Sequence, residues 1–223
     1  MSRRLRTLST ALIAAGVLLL ADAGLTLLWQ EPVSALYNHF EQHSLQARLN
    51  DLEREPLAAV DQRALRRLDA QHRLAFAARA FARRIHEGDP LGRISMPSIG
   101  VSDVMVEGTE HGDLSKGPGH YPATPLPGES GTVAVAGHRT TYGAPFRHID
   151  GLRPGDEITV AMPYGRFTYK VQRTRIVAPT AVWVTNRVAY DQIILSACNP
   201  LYSAAQRIVV FAKLAEAVPR DTG

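Results

Sequence analysis

From Asp89-Pro90 onward the chain breaks into short β-branched and apolar runs separated by turn-forming residues, and this cadence limits its fold more than any other feature. The runs are "GRISMPSIGVSDVMVEG", "GTVAVAGH", "DEITVAM", "GRFTYKVQRTRIVA", "TAVWVT", "DQIILSAC" and "QRIVVFAKL". Pro127-Gly128, Arg153-Pro154-Gly155 and Asn199-Pro200 punctuate them; such residues set the turn and end a strand. Seven or eight short strands in about 130 residues predict a mainly β unit, closed as a barrel or packed as a sandwich. "GAPFRHIDGL" has room for no more than a helical turn, and no internal repeat is visible.

Two different zones precede this unit. In "MSRRLRTLSTALIAAGVLLLADAGLTLLWQ", Arg3, Arg4 and Arg6 lead into an apolar run from Leu8 to Trp29. As a helix the run spans roughly 33 Å at about 1.5 Å per residue, close to a hydrocarbon core of about 30 Å. Asp22 opposes insertion by about 2.5–3.5 kcal/mol, against roughly 3–6 kcal/mol from the leucines, Ile13 and Val17. Insertion is favoured. The same residues also fit a cleaved signal peptide, with Leu8 to Leu20 as its apolar region and Ala21-Asp22-Ala23 as the cleavage site. Either way the arginines stay inside and the remainder crosses the membrane. Trp29 suits an interfacial anchor.

Residues 33–88 read as helix. Leu45, Leu49 and Leu52 recur at i, i+4 and i+7; Pro56 restarts the pattern, and Leu57, Val60, Ala64 and Leu68 follow. Seven arginines against Asp69 between Arg63 and Arg84 suit a solvated amphipathic spacer, or else a helix on an anionic lipid surface or a partner. His39, His43, His72 and His86 lack ligand spacing and read as surface residues. The net charge of +4 is almost all arginine, since Lys116, Lys170 and Lys213 are the only lysines. With no zinc-finger or P-loop spacing and no aromatic-interleaved basic strand, no nucleic-acid partner is expected.

Cys198 is the only cysteine, so an internal disulfide is excluded. "IILSAC" and "RIVVF" are separated by a short polar loop and pair most simply as an antiparallel hairpin, which sets Cys198 near Arg207 at one rim. His138 also ends a strand and could reach the same rim. A free thiol has a reference pKa of about 8.5; a neighbouring imidazole could activate it and protonate a leaving amine, while an arginine stabilises a developing oxyanion. The bland alternative is a small buried hydrophobe.

"AVAGHRTTYGAPF", "LSACNP" and "YSAAQRIVV" resemble, in order, the histidine, cysteine and arginine motifs of the sortases, cysteine transpeptidases of the bacterial cell surface; "KGPGHYPATPLPGESG" resembles the stretch before their histidine strand. "WQEPVSALY", "GHRTTYGAPF" and "NPLYSAAQR" most resemble class E. The resemblance covers about residues 90–214 and implies an eight-stranded sortase-type β-barrel over 89–218, preceded by a basic cytoplasmic tail (1–7), a transmembrane anchor (8–29) and a helical spacer (30–88), with a tail at 219–223. It favours the anchor over a cleaved peptide, giving a single-pass plasma-membrane protein with an extracytoplasmic catalytic domain.

The same resemblance implies His138, Cys198 and Arg207 as the triad. It also implies cleavage of Thr–Gly in an L-A-x-T-G or L-P-x-T-G signal through a thioester, and an amine acceptor on a peptidoglycan precursor or pilin. Partners would be surface proteins carrying such signals, and membrane lipid. Hydrolysis of the thioester, or a non-catalytic surface role, are the alternatives. Tyr121, Tyr142, Ser196 and Ala197 are substrate-binding candidates, and His120 is expected to make a structural hydrogen bond. His111 and His120 lack a third metal ligand, no acidic calcium loop is evident, and no cofactor is expected. Where sortases commonly read T-L-x-T-C, this chain has Ile194, Leu195, Ser196, Ala197 and Cys198, which predicts altered specificity and rate.

Overall fold

The computed structural model describes residues 3–28, 32–54 and 69–220. Eight strands form its centre: β1 (Pro90–Met96), β2 (Val101–Glu107), β3 (Gly119–His120), β4 (Thr132–Ala136), β5 (Glu157–Met162), β6 (Gly165–Val177), β7 (Gln192–Asn199) and β8 (Gln206–Pro219). They close as a barrel in the order β1-β2-β3-β4-β7-β8-β6-β5. The β2–β3 and β4–β7 pairs are parallel and the others antiparallel. The predicted eight-stranded barrel is therefore the observed fold, with two differences in its strands. "TAVWVT" is not a strand: Val182–Thr185 is a 3-10 turn, in which only Val184 is buried. The eighth strand is instead the two-residue β3, too short to leave a periodic signature.

Strand alternation divides β7 and β8 between two apolar clusters. Ile193, Leu195 and Ala197, with Ile208, Val210 and Ala212, face the barrel interior beside Phe146, Phe167 and Val135. Ile194, Val209 and Phe211 face outward into a smaller cluster with Ala134 and Val184. Burial on both faces explains why "IILSAC" reads as a continuous apolar run rather than an alternating one.

Helices cover the barrel from outside. α1 (Arg3–Leu28) contains the span Leu5–Gly24, long and apolar enough to cross a membrane and unburied by the rest of the chain. α2 (Pro32–Arg54) is not a solvated spacer. Its Leu45 and Leu49 are buried against Val104 and Val106 of β2, and burying a leucine side chain contributes about 1.5–3 kcal/mol. Gln42 Nε2 donates to the carbonyls of Val104 (2.9 Å) and Lys116 (2.8 Å), and its Oε1 accepts from the Val104 N–H at 2.7 Å. Arg48 pairs with Asp89. α3 (Ala70–Ala82) is capped by Asp69, whose carboxylate accepts from the His72 N–H, and buries Leu74, Ala77 and Ala78. His39, His43, His72 and His86 are exposed, as read from their spacing. Trp29, Pro56, Leu57, Val60, Ala64 and Leu68 lie outside the described residues.

Candidate active site

The β7–β8 ladder places Cys198 directly opposite Arg207 in register. Both residues are half-buried, at the loop end of the hairpin. Arg207 Nη1 donates to the carbonyls of Ala204 and Gln206, each at 3.0 Å, which fixes the base of the guanidinium at the rim. On the other side of β7 the parallel strand β4 ends with Ala136 beside Ser196. The Gly137 N–H extends this pairing by donating to the Ser196 carbonyl at 3.1 Å. His138 and Cys198 are thus each two residues past the last ladder pair of adjacent parallel strands, and emerge at one rim. The hairpin argument describes the structure, whereas the strand expected to end at His138 ends at Ala136, two residues earlier.

Ile194, Ser196 and Arg207 line one wall of a groove of about 420 Å³ that runs outward from this rim. Tyr121, Thr124, Val177, Pro179 and Val182 also line it. Its size suits a short peptide or ligand of similar bulk. By alternation Cys198 lies on the same strand face as Ser196 and Ile194. Two of the four substrate-binding candidates, Tyr121 and Ser196, therefore line the groove. Ala197 does not: it is 3% exposed and packs inside the barrel. The missing threonine hydroxyl next to Cys198 is lost from the core, whereas Ile194 removes one from the groove wall. Tyr142, the fourth candidate, lies beside the histidine instead.

His138 sits among rings. Its centroid is 5.3 Å from Tyr142 and 6.5 Å from His111, while the Tyr142 hydroxyl and His111 Nε2 are 3.3 Å apart. His138 Nε2 is buried and, among the described residues, has no hydrogen-bond partner. Burial first, and then the nearby His111 charge, hold the imidazole below its ordinary pKa of 6.5. The neutral ring is the resting form at neutral pH, ready to accept a proton.

The loop that carries His138 is secured by contacts from distant sequence. Tyr142, Gly143 and Ala144 all have positive φ, at 52°, 73° and 46°, which is costly for the two non-glycine residues. The Tyr142 N–H donates to Ser34 Oγ of α2 at 2.9 Å. Asn38, one turn on, donates to the carbonyls of Ser115 (3.2 Å) and Lys116 (2.9 Å). Gly137 leaves room for the buried Phe146 ring, whose nearest atom would lie 2.6 Å from a Cβ at that position.

Arg139 is a positioning residue that sequence reasoning missed. Only 4% exposed, it donates to the Cys198 carbonyl (3.4 Å), Asn199 Oδ1 (3.2 Å) and the Arg147 carbonyl (3.2 and 3.3 Å). It also pairs with Asp150 at 3.1 Å. One buried guanidinium therefore ties the cysteine end of β7 to the histidine loop. Its one sequence signal is a charged residue next to His138 in an otherwise small and polar stretch. His120 has the expected structural role: Nδ1 is 2.8 Å from Glu107 Oε2, and Nε2 is 3.2 Å from the Pro125 carbonyl. These bonds anchor the segment bearing Tyr121. Among the described residues no three His, Cys, Asp or Glu side chains converge to hold a metal ion.

Comparison with known proteins agrees with this geometry. A family model described as Sortase domain matches residues 94–215. Sortase D of Bacillus subtilis strain 168 is 34% identical over 131 residues, covering 56% of this chain and 64% of that protein. Sortase SrtE1 of Streptomyces coelicolor is 31% identical over 152 residues, covering 61% and 43%. The chain thus spans less than two thirds of either relative. Among solved structures, the SrtA sortase from Actinomyces oris is similar with a TM-score of 0.58 and 33% identity, over 62% of this chain and 87% of that one. Sortase E from Streptomyces avermitilis is similar with a TM-score of 0.55 and 33% identity, over 60% and 93%.

Proposed function

This chain belongs to the sortase family, and from that premise we propose that it is a membrane-anchored cysteine transpeptidase acting on C-terminal sorting signals. The observation that carries the proposal is the in-register pairing of Cys198 with Arg207 beside a parallel strand that ends two residues before His138. Cys198 sulfur attacks the carbonyl carbon of a Thr–Gly bond, and its thiol proton passes to the neutral His138. Arg207 stabilises the oxyanion that forms. Collapse breaks the carbon–nitrogen bond, and the His138 imidazolium gives its proton to the departing glycine amine. The depressed pKa of His138 makes that imidazolium a stronger acid.

The resulting thioester is resolved by an incoming amine, on a peptidoglycan precursor or a pilin. His138 takes the amine's proton as the new amide forms, and the Cys198 thiol is restored. The groove receives the residues before the scissile bond, against Ile194, Ser196 and Tyr121; L-A-x-T-G is the preferred signal, ahead of L-P-x-T-G. Leu5–Gly24 crosses the plasma membrane once, with the N-terminal arginines inside and the barrel outside.

The test is to incubate the full chain in detergent micelles with L-A-x-T-G and L-P-x-T-G peptides, with and without an amine acceptor, and to analyse products by mass spectrometry. Cleavage between Thr and Gly, ligation to the amine, and loss of both in Cys198→Ala are expected. Cleavage without ligation would make the protein a hydrolase using the same thioester. A folded wild-type chain that cleaves neither peptide would contradict the proposal.

A further inference from the structure

α2 has two faces, and only one touches the barrel. At 3.6 residues per turn, Ser34, Asn38, Gln42, Leu45 and Leu49 form one stripe, which meets β2 and the Tyr142 loop. Val33, Leu36 and Phe40 cluster on the opposite side, while Tyr37, on the flank between the two, packs edge-on against Tyr142 at 6.2 Å between ring centroids. Val33, Leu36 and Phe40 are 71%, 59% and 65% exposed, although α1 is present. Further along that side the residues become Ser44, Ala47 and Asp51, all exposed. The apolar patch is therefore confined to the first two turns, nearest the membrane-spanning helix. Three residues separate Leu28 from Pro32, so α2 begins within about 14 Å of the end of α1 at a full extension of about 3.6 Å per residue. Phe40 lies only about 12 Å further along α2.

We propose that the Val33–Leu36–Phe40 face of α2 lies in the lipid interface of the same membrane that α1 crosses. The inference rests on the anchor reading given above. An apolar helical face beside a half-exposed tyrosine is the composition that settles at the boundary of headgroups and acyl chains, and it ends where polar residues begin. The opposite face binds the loop carrying Tyr142 next to His138. Lipid contact on one side of α2 therefore holds the catalytic rim at the bilayer surface, within reach of substrates that are themselves membrane-bound.

The test uses the full chain with Cys198→Ala as background and single cysteines introduced as Val17→Cys, Phe40→Cys or Asp51→Cys. Each is labelled with an environment-sensitive fluorophore and reconstituted in vesicles of phosphatidylethanolamine and phosphatidylglycerol. Quenching by doxyl-labelled lipid is compared with quenching by iodide present on both sides. Labels at 17 and 40 should be quenched about two-fold or more by the lipid quencher and shielded from iodide, with the label at 51 showing the reverse. A label at 17 in lipid with a label at 40 open to iodide would overturn this inference and leave the anchor standing. A label at 17 open to iodide would overturn both. Protection of position 40 from both quenchers would place protein on the face and overturn the lipid assignment.

Discussion

Cys198 and His138 reach the same rim, but they are held there by different means. Cys198 is the last residue but one of an eight-residue strand paired on both sides, and Arg207 faces it through the same ladder. His138 has already left β4. Its loop runs through three consecutive positive φ values and depends on Arg139, Phe146 and α2 for its position. The cysteine half is a product of local pairing, and the histidine half of contacts distant in sequence. Perturbing the distant contacts should therefore move one half of the site and leave the other in place.

The largest effect on activity is expected from Gly137→Ala. Its Cβ would meet the Phe146 ring inside the core, and overpacking of this kind costs about 1–3 kcal/mol. Thermal unfolding should show the loss, together with a fall in activity greater than the stability change alone accounts for. Leu45→Ala leaves Val104 and Val106 with a cavity and should cost about 2–5 kcal/mol in denaturant unfolding. A change near zero would mean that α2 is not docked in solution.

Arg139→Met comes next. It removes the donors to the Cys198 and Arg147 carbonyls, worth about 1–3 kcal/mol for each buried group left unsatisfied, less what is regained by no longer burying a charge. Turnover should fall while alkylation of Cys198 continues, because the ladder still holds that residue. Equal loss of both would place Arg139 in the support of the whole rim.

His111→Gln should have the smallest effect, on titration alone. It removes the charge that adds to burial in holding His138 below 6.5, so the imidazole should gain its proton at a higher pH, read from its C–H resonances by NMR. In the wild type the unfolded chain binds more protons at this site between the depressed folded value and 6.5. Stability from this group therefore rises with pH through that window, and is lost as pH falls through it from 6.5 to the depressed folded value. An unchanged or lowered titration in His111→Gln would remove His111 from the account.

The same division explains what could be read from the sequence. Cys198 and Arg207 were legible because a short polar loop between two apolar runs leaves a hairpin as the simplest arrangement. His138 was placed at the rim from its strand end, though not the reason it stays there. Nothing in "PVSALYNHFEQHSL" announces that Ser34 bonds the Tyr142 loop and Asn38 the Ser115–Lys116 segment, each more than seventy residues away, because hydrogen bonds of that kind have no periodicity. "TAVWVT" misled because a short apolar run does not separate strand from turn; Val182 is 78% exposed there, and Trp183 stacks on Phe211. The loss of a threonine at Ala197 drew attention that belonged to Ile194, since burial on both faces of β7 hides which side forms the groove.

Hydrogen exchange on the full chain, compared with a Ser34→Ala/Asn38→Ala variant, tests this division most directly. Loss of the Ser34 bond to the Tyr142 N–H, and of the Asn38 side chain packed against Gly143, should reduce protection at the amides of residues 142–146. Protection at Ile193–Ala197 and Ile208–Ala212 should remain at wild-type levels. Loss of protection in both regions together, or in neither, would contradict the account.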